Sequence, residues 1–166
     1  MTHTPENTFL HIARTRLVVH LTGQVRTYLD ALDGSQIWWR PNPASNAVGN
    51  LVLHCAGSTR YYLGHVVGGH EFVRDRDAEF TARDVSKNEL RERLDAAASE
   101  ADQVLEAFDP ARLLEITDRT PKPTTFMQVI GLQLVHYATH VGQIAYVAKT
   151  FAPTAINDVW RNTPSH

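Results

Sequence analysis

The chain lacks several features that define well-known classes of protein. Only one of its 166 residues is a cysteine, Cys55, so neither an intramolecular disulfide nor a cysteine-rich zinc site can form. No run approaches the roughly 20 consecutive apolar residues that cross a bilayer, and the first residues do not resemble a signal peptide. Sixteen lysines and arginines against eighteen acidic residues give a formal charge of -2. Because there is no basic excess, the sequence predicts no nucleic-acid partner. The missing apolar run and signal peptide predict a cytoplasmic protein with no membrane partner.

What is present is an ordinary globular composition. Hydrophobic residues make up 43% of the chain and charged residues 20%, and the length favours a single domain over residues 1–166. The sequence contains no internal repeat, no dinucleotide-binding glycine motif, no phosphate loop and no long alternating strand pattern. The remaining interpretation is a helical domain.

Four segments repeat apolar residues at the spacing of a helix. They run from about Glu6 to Leu32, from Ser45 or Asn46 to Gly68, from Ser86 to Asp109, and from Thr125 to about Phe151. Ser86 with Glu89, and Thr125 with Gln128, have the spacing of capping boxes at helix starts. Four helices of this length predict an all-α four-helix bundle.

The connections between these helices carry fewer signals. The alternating charges of residues 74–80 indicate a solvated loop with one apolar anchor. Trp38 and Trp39 precede the second helix, where they either roof a pocket or pack a loop against the end of the bundle.

Histidine supplies the clearest functional candidate. His136 and His140 are four residues apart, so both rings project from one side of the fourth helix and can reach one ion at about 2.1 Å. They share the apolar seam with Val129 and Ile144, and buried imidazoles need polar partners. The same pattern is also typical of core histidines that hydrogen-bond to their neighbours.

A third ligand has to come from another helix, and His54 on the second helix is the leading candidate. Three neutral imidazoles leave open positions on a divalent ion, as in catalytic sites. Cys55 projects about 100° away from His54, which favours a buried packing role. No general base is evident; Gln143 either orients water or serves packing and solvation. The catalytic residues therefore stay unassigned.

At this point the chain resembles a known family. Residues 50–57 (NLVLHCAG), the charged segment 74–80 (RDRDAEF) and residues 136–144 (HYATHVGQI) occur in the order found in a branch of the DinB-like superfamily. Residues 38–41 (WWRP) match that branch too, and the resemblance extends from about Ile37 to Lys149. One departure is Ser58, where the branch often has asparagine, which questions any substrate contact at that position.

The resemblance implies a four-helix bundle in an up-down-down-up arrangement that forms a homodimer. It also implies that His54, His136 and His140 bind a divalent metal, nickel or zinc. Characterised relatives include transferases that use low-molecular-weight thiols. A metal-dependent transferase that adds such a thiol to an electrophilic small molecule is therefore the leading functional interpretation. The alternatives are a metal-dependent hydrolase and a non-catalytic dimeric stress-response bundle.

Overall fold

The structure, a computed structural model, describes residues 4–154, so the predicted domain limits at residues 1 and 166 lie outside the described residues. Four long helical segments dominate it, as the sequence predicts. Among the described residues, no helix has both the length and the apolar character needed to cross a bilayer.

The first long helix, α1, consists of three consecutive stretches. The α-helical parts Pro5–Arg14 and Thr22–Ala31 flank a π-helical stretch, Thr15–Leu21, which the 3.6-residue period did not predict. Thr4 caps the start by accepting a hydrogen bond from the Asn7 amide. The helix ends at Ala31, and Asp33 then caps a single helical turn, α2 (Gly34–Ile37).

The second long helix, α3, joins an α-helical stretch, Val48–Thr59, to a π-helical one, Arg60–Val67. The predicted start at Ser45 or Asn46 lies two or three residues before the observed one. Its N-cap is Ala47, which has no side-chain cap, because the Ser45 hydroxyl instead donates to Asn42 in the preceding turn.

Trp38 packs against the start of α3 rather than standing free. A Cβ on Gly49 would lie 2.7 Å from the Trp38 ring, so only glycine admits this contact. The indole of Trp38 also donates a hydrogen bond to the Val85 carbonyl, 3.2 Å away. Of the two predicted roles, loop packing is the one that the structure shows for Trp38, whereas Trp39 lines a cavity.

The charged segment 74–80 is not a solvated loop, which corrects the sequence interpretation. Arg76–Thr81 forms a short helix, α4, which is anchored on α3 by the fully buried side chain of Asn50. The Asn50 amide donates to the carbonyls of Glu79 and Ala82, while Arg40 donates to its oxygen at 2.6 Å. The carbonyls at the end of α4 have no partner within the helix, and the buried amide of Asn50 supplies one.

The rest of the chain supplies two more long helices. α5 is Lys87–Ala107, followed by a 3₁₀ turn, Pro110–Arg112, and α6 is Phe126–Phe151. Between them, β1 (Ile116–Thr117) pairs antiparallel with β2 (Thr124–Thr125), with Ile116 opposite Thr125.

The two predicted capping boxes have different outcomes. Thr125 and Gln128 form a complete box at the start of α6. Ser86 accepts from the Glu89 amide as predicted, but the Glu89 carboxylate pairs with Arg93 instead of returning to Ser86. One half of that box is therefore replaced by an exposed ion pair.

One apolar core lies between the long helices and includes side chains from all of them. At its centre the buried hydroxyls of Thr22 on α1 and Tyr137 on α6 are 3.1 Å apart and share a hydrogen bond. Outside the core, Arg14 and Arg26 on α1 pair with Asp102 and Asp95 on α5 at 2.6 Å. These ion pairs hold α1 beside α5 at the half-buried margin.

The Arg14–Asp102 pair yields a prediction about stability and pH. The hydrogen bond and the charge of Arg14 lower the pKa of Asp102 below its ordinary value of 3.8, although partial burial opposes the shift. Because the folded pKa lies below the unfolded one, the stabilisation is complete above the ordinary pKa and is lost as pH falls through the lowered value. We expect Asp102→Asn to lower the free energy of unfolding by about 0.5–1 kcal/mol at pH 7.

Urea denaturation of both proteins at pH 7 and at acid pH checks this, with the difference shrinking as Asp102 becomes protonated. Asp118→Asn is a matched control, because Asp118 is exposed and pairs with no cation within the described residues. Equal losses in the two variants at pH 7 would contradict the stabilising role of the pair.

Candidate metal centre

The three histidines singled out from the sequence lie together in the structure. His54 projects from α3, and His136 and His140 from successive turns of α6. The Nε2 atom of His136 is 2.9 Å from Nε2 of His54 and 3.1 Å from Nε2 of His140. One ligand atom from each residue lies within 4.8 Å of the others, so the group could hold a metal ion.

The donor set fits a divalent transition metal. Two nitrogens that share one ion at about 2.1 Å are about 3.0–3.4 Å apart, close to the two separations here. His54 is buried and the other two rings are half-buried, so the nitrogens converge away from bulk water. Neutral imidazole nitrogen suits zinc and nickel alike, and the geometry does not choose between them.

Behind His54 lies a carboxylate that the sequence did not reveal as part of the site. Glu79 on α4 is only 7% exposed, and its Oε2 is 2.8 Å from Nδ1 of His54. The Arg74 guanidinium holds both oxygens of Glu79, with Nε 2.7 Å from Oε1 and a terminal nitrogen 2.8 Å from Oε2. Glu79 is thus a buried anion compensated on both sides, as burial of a charge requires.

These contacts determine where the protons lie. An ionised carboxylate only accepts hydrogen bonds, so His54 donates from Nδ1 to Glu79 and keeps the lone pair on Nε2. Burial raises the pKa of Glu79, but the hydrogen bonds from His54 and Arg74, together with the charge of Arg74, outweigh it and leave the pKa below its ordinary value. The carboxylate therefore orients the His54 ring with Nε2 toward the other imidazoles.

Gln143 plays the corresponding part for His140. Its Oε1 is 2.7 Å from Nδ1 of His140, one turn along α6. With the amide oxygen in this orientation His140 donates from Nδ1, which leaves its Nε2 free to bind. Of the roles considered from the sequence, this contact supports neither a water-orienting nor a merely solvated residue, since Gln143 orients a histidine.

His136 occupies the middle of the group. Burial, then the neighbouring His140, His54 and Arg74, lower the pKa of His136 to about 4. The ring is therefore neutral at pH 7. Its Nδ1 is buried and has no hydrogen-bond partner among the described residues.

The close approach of α4 to α3 depends on Gly57. A Cβ at this position would overlap Oε1 and the carboxyl carbon of Glu79. Gly57 follows His54 by three residues, so the same turn of α3 presents the imidazole and leaves room for its carboxylate partner.

A cavity of about 630 Å³ adjoins the imidazole group and has His54 and His136 in its wall. Gln143 and Trp39 line a separate cavity of about 650 Å³. Of these two cavities, only the first has any of the three histidines in its lining.

Two residues near the site have purely internal roles. Cys55 is fully buried, and burial raises the pKa of its thiol, which agrees with the predicted packing role. Ser58 is also fully buried; its hydroxyl donates to the Cys55 carbonyl and accepts from the Gln133 amide. Ser58 is therefore a packing residue and not a contact for a bound molecule.

Fold and site together describe a helical protein with a three-histidine group between its second and last long helices. The family model of the DinB superfamily matches residues 19–144. The chain therefore belongs to the DinB superfamily.

Solved structures show the same fold. A DinB-like protein from Bacillus cereus ATCC 10987 superposes with a TM-score of 0.65 at 15% identity, over 79% of this chain and 85% of that one. A DinB-like protein from Bacillus subtilis gives a TM-score of 0.64 at 15% identity, over 83% of this chain and 90% of that one. No curated protein matches the chain.

The contact between Gly57 and Glu79 generates a prediction. We expect Gly57→Ala to displace the Glu79 carboxylate and to lower the free energy of unfolding by about 1–3 kcal/mol, as overpacking of a buried site does. Urea denaturation measures the change.

Gly23→Ala is the matched control, because a Cβ at that half-buried position on α1 would have no neighbouring side chain of the described residues within 4 Å. Alanine there should stabilise the protein by about 0.4–1 kcal/mol through the unfolded chain. If the two alanines had the same effect, the proposed dependence of Glu79 on Gly57 would be wrong.

Proposed function

We propose that the chain is a cytoplasmic metal-dependent transferase that adds a low-molecular-weight thiol to an electrophilic small molecule. His54, His136 and His140 are the proposed ligands of one nickel or zinc ion. The observation that carries the proposal is the convergence of three imidazole Nε2 atoms, with the Nδ1 atoms of His54 and His140 held by Glu79 and Gln143. Such outer partners orient metal-binding imidazoles.

A divalent ion in this position would lower the pKa of a thiol that reaches it and so favour the nucleophilic thiolate at neutral pH. The protein also provides space for the thiol, because His54 and His136 line a cavity large enough for a small molecule. Partial burial keeps His136 and His140 neutral by lowering their pKa values. Neutral rings leave their lone pairs available to a metal.

The same site supports hydrolysis less well. Hydrolysis of an ester or amide usually needs a base to take a proton from water. Glu79 is the nearest buried carboxylate, but its oxygens already accept hydrogen bonds from His54 and from two of the three nitrogens of Arg74. Thiol transfer places a smaller demand on a base, since a thiol ionises far more readily than water.

We further propose that the chain forms a homodimer and that its single domain, residues 1–166, is a four-helix bundle in up-down-down-up order. Support for the dimer comes from large apolar side chains on one face of α6. Leu132 and Val135 are each 67% exposed and Tyr146 is 80% exposed. Exposed apolar rows of this kind commonly mark protein interfaces.

Metal content tests the ligand assignment. After dialysis against nickel or zinc, the wild-type protein should hold about one equivalent per chain by elemental analysis. His136→Ala and His140→Ala should weaken binding by more than about 100-fold, beyond the cost of losing an outer partner. His11→Ala is the control, because His11 is exposed on α1 and is not one of the three proposed ligands.

Thermal unfolding verifies that each variant is folded. Metal retained by His140→Ala would show that the ligand set is wrong.

With the ligands established, loaded wild-type protein should consume a small thiol in the presence of chlorodinitrobenzene, and the ligand variants should not. Hydrolysis of a nitrophenyl ester without thiol would favour the hydrolase instead, and no turnover in any condition would leave the non-catalytic bundle.

Val135→Lys tests the dimer, because a charge in the middle of an apolar interface opposes association. Light scattering should show the wild type at twice the chain mass of 18.6 kDa and the variant at the chain mass. Leu114→Lys, at a position 72% exposed outside α6, should remain dimeric. A monomeric wild type would overturn the proposal.

A further inference from the structure

The cavity that adjoins the imidazole group has an uneven lining. His54 and His136 contribute imidazole nitrogens to it. Other parts of the lining are apolar or aromatic, among them Tyr62, Val129 and Leu132. A small molecule in this space would contact both the metal ligands and an apolar wall, which is the usual composition of a ligand pocket.

The charges of the lining are all of one sign. Arg74, Arg76 and Lys122 line the cavity, and no aspartate or glutamate does so among the described residues. Glu79 neutralises Arg74 through two hydrogen bonds. Arg76 lies 5.1 Å from the centre of the Phe80 ring, and neither it nor Lys122 forms an ion pair within the described part of the chain. Two cations therefore remain uncompensated.

Two other cavities of similar volume among the described residues do not share this imbalance. The cavity beside Gly57, of about 680 Å³, has three cations and three carboxylates in its lining. The cavity lined by Trp39 has no charged residue in its lining. Uncompensated positive charge thus coincides with access to the proposed metal ligands.

Both cations are attached to well-held backbone. Lys122 stands between Pro121 and Pro123 in the connection that β1 and β2 close, and the Thr120 hydroxyl donates to its carbonyl at 2.7 Å. Two prolines restrict the backbone on either side of the lysine. Arg76 begins α4, the helix that also provides Glu79.

We infer that this cavity is a carboxylate-binding subsite and that the molecule it admits is a small organic acid. Arg76 and Lys122 pair with its carboxylate, its body lies against the apolar wall, and its far end faces His54 and His136. Arginine offers a planar pair of donors and lysine a point charge, a combination suited to carboxylate oxygens. That the acid is a substrate rests on the proposed function; the subsite itself does not.

The subsite is tested on the full, metal-free chain with glutarate and with its neutral analogue glutaramide, by ligand-observed NMR titration at low salt. Glutarate should bind and glutaramide should bind at least about fivefold more weakly, since partly exposed charge pairs contribute up to about 1 kcal/mol. Arg76→Gln and Lys122→Gln should each weaken glutarate binding by about fivefold, and Arg76→Lys should recover part of the loss.

Arg93→Gln is the matched control, because Arg93 is an exposed arginine that lines the cavity beside Gly57. It removes the same charge from the chain and should leave glutarate binding unchanged. Equal binding of glutarate and glutaramide, or equal effects of Arg76→Gln and Arg93→Gln, would overturn the subsite.

The carboxylate can belong to the thiol or to the electrophile. Binding of an acidic and a neutral thiol to nickel-loaded protein distinguishes these two possibilities. If 3-mercaptopropionate binds more tightly than 3-mercaptopropan-1-ol, and Arg76→Gln abolishes the preference, the acid is the thiol. Equal affinity of the two thiols, with glutarate still bound, assigns the acid to the electrophile; both results support the subsite. Glutarate binding in a chain that takes up no metal would reject the proposed function alone.

Discussion

The buried carboxylate of Glu79 is the constraint on which the site depends. An anion that is 7% exposed needs compensation, and here His54 and Arg74 supply it from two different parts of the chain. The pairing holds α4 against α3, with Gly57 leaving the space and Asn50 taking up the backbone carbonyls of α4. One electrostatic requirement thus joins the short helix to the long one and orients the first imidazole of the group.

That orientation has chemical consequences for the neighbouring rings. Since His54 and His140 direct their Nδ1 protons outward, their Nε2 lone pairs face His136. The low pKa of His136 keeps this central ring neutral at physiological pH. The positive charge of Arg74 is neutralised by Glu79, whereas that of Arg76 and Lys122 is not. Two of the three imidazoles and the cationic side chains of Arg76 and Lys122 therefore line the same cavity.

The helices were largely predictable because their signals are local. The start of α6 at Thr125 and the side-chain cap of α5 at Ser86 depend on residues three positions apart. The start of α3 was wrong, because Ser45 has a competing partner in the preceding turn. Segment 74–80 was misassigned for a related reason. Alternating charges are typical of a solvated loop, unless a residue distant in sequence pairs with one of them in the interior. Here His54, 25 residues before Glu79, forms a buried hydrogen bond with the Glu79 carboxylate.

By itself, the sequence determined the helical class, the shared face of His136 and His140, and the candidacy of His54, for which the family resemblance gave independent support. These follow from the helical period and from motifs a few residues long. Only the tertiary structure decided that the three Nε2 atoms converge and that Glu79, Arg74 and Gln143 surround them. It also decided that two unpaired cations face the same cavity. The physical reason is that burial and charge compensation depend on which helices meet, and no local spacing in the chain records that.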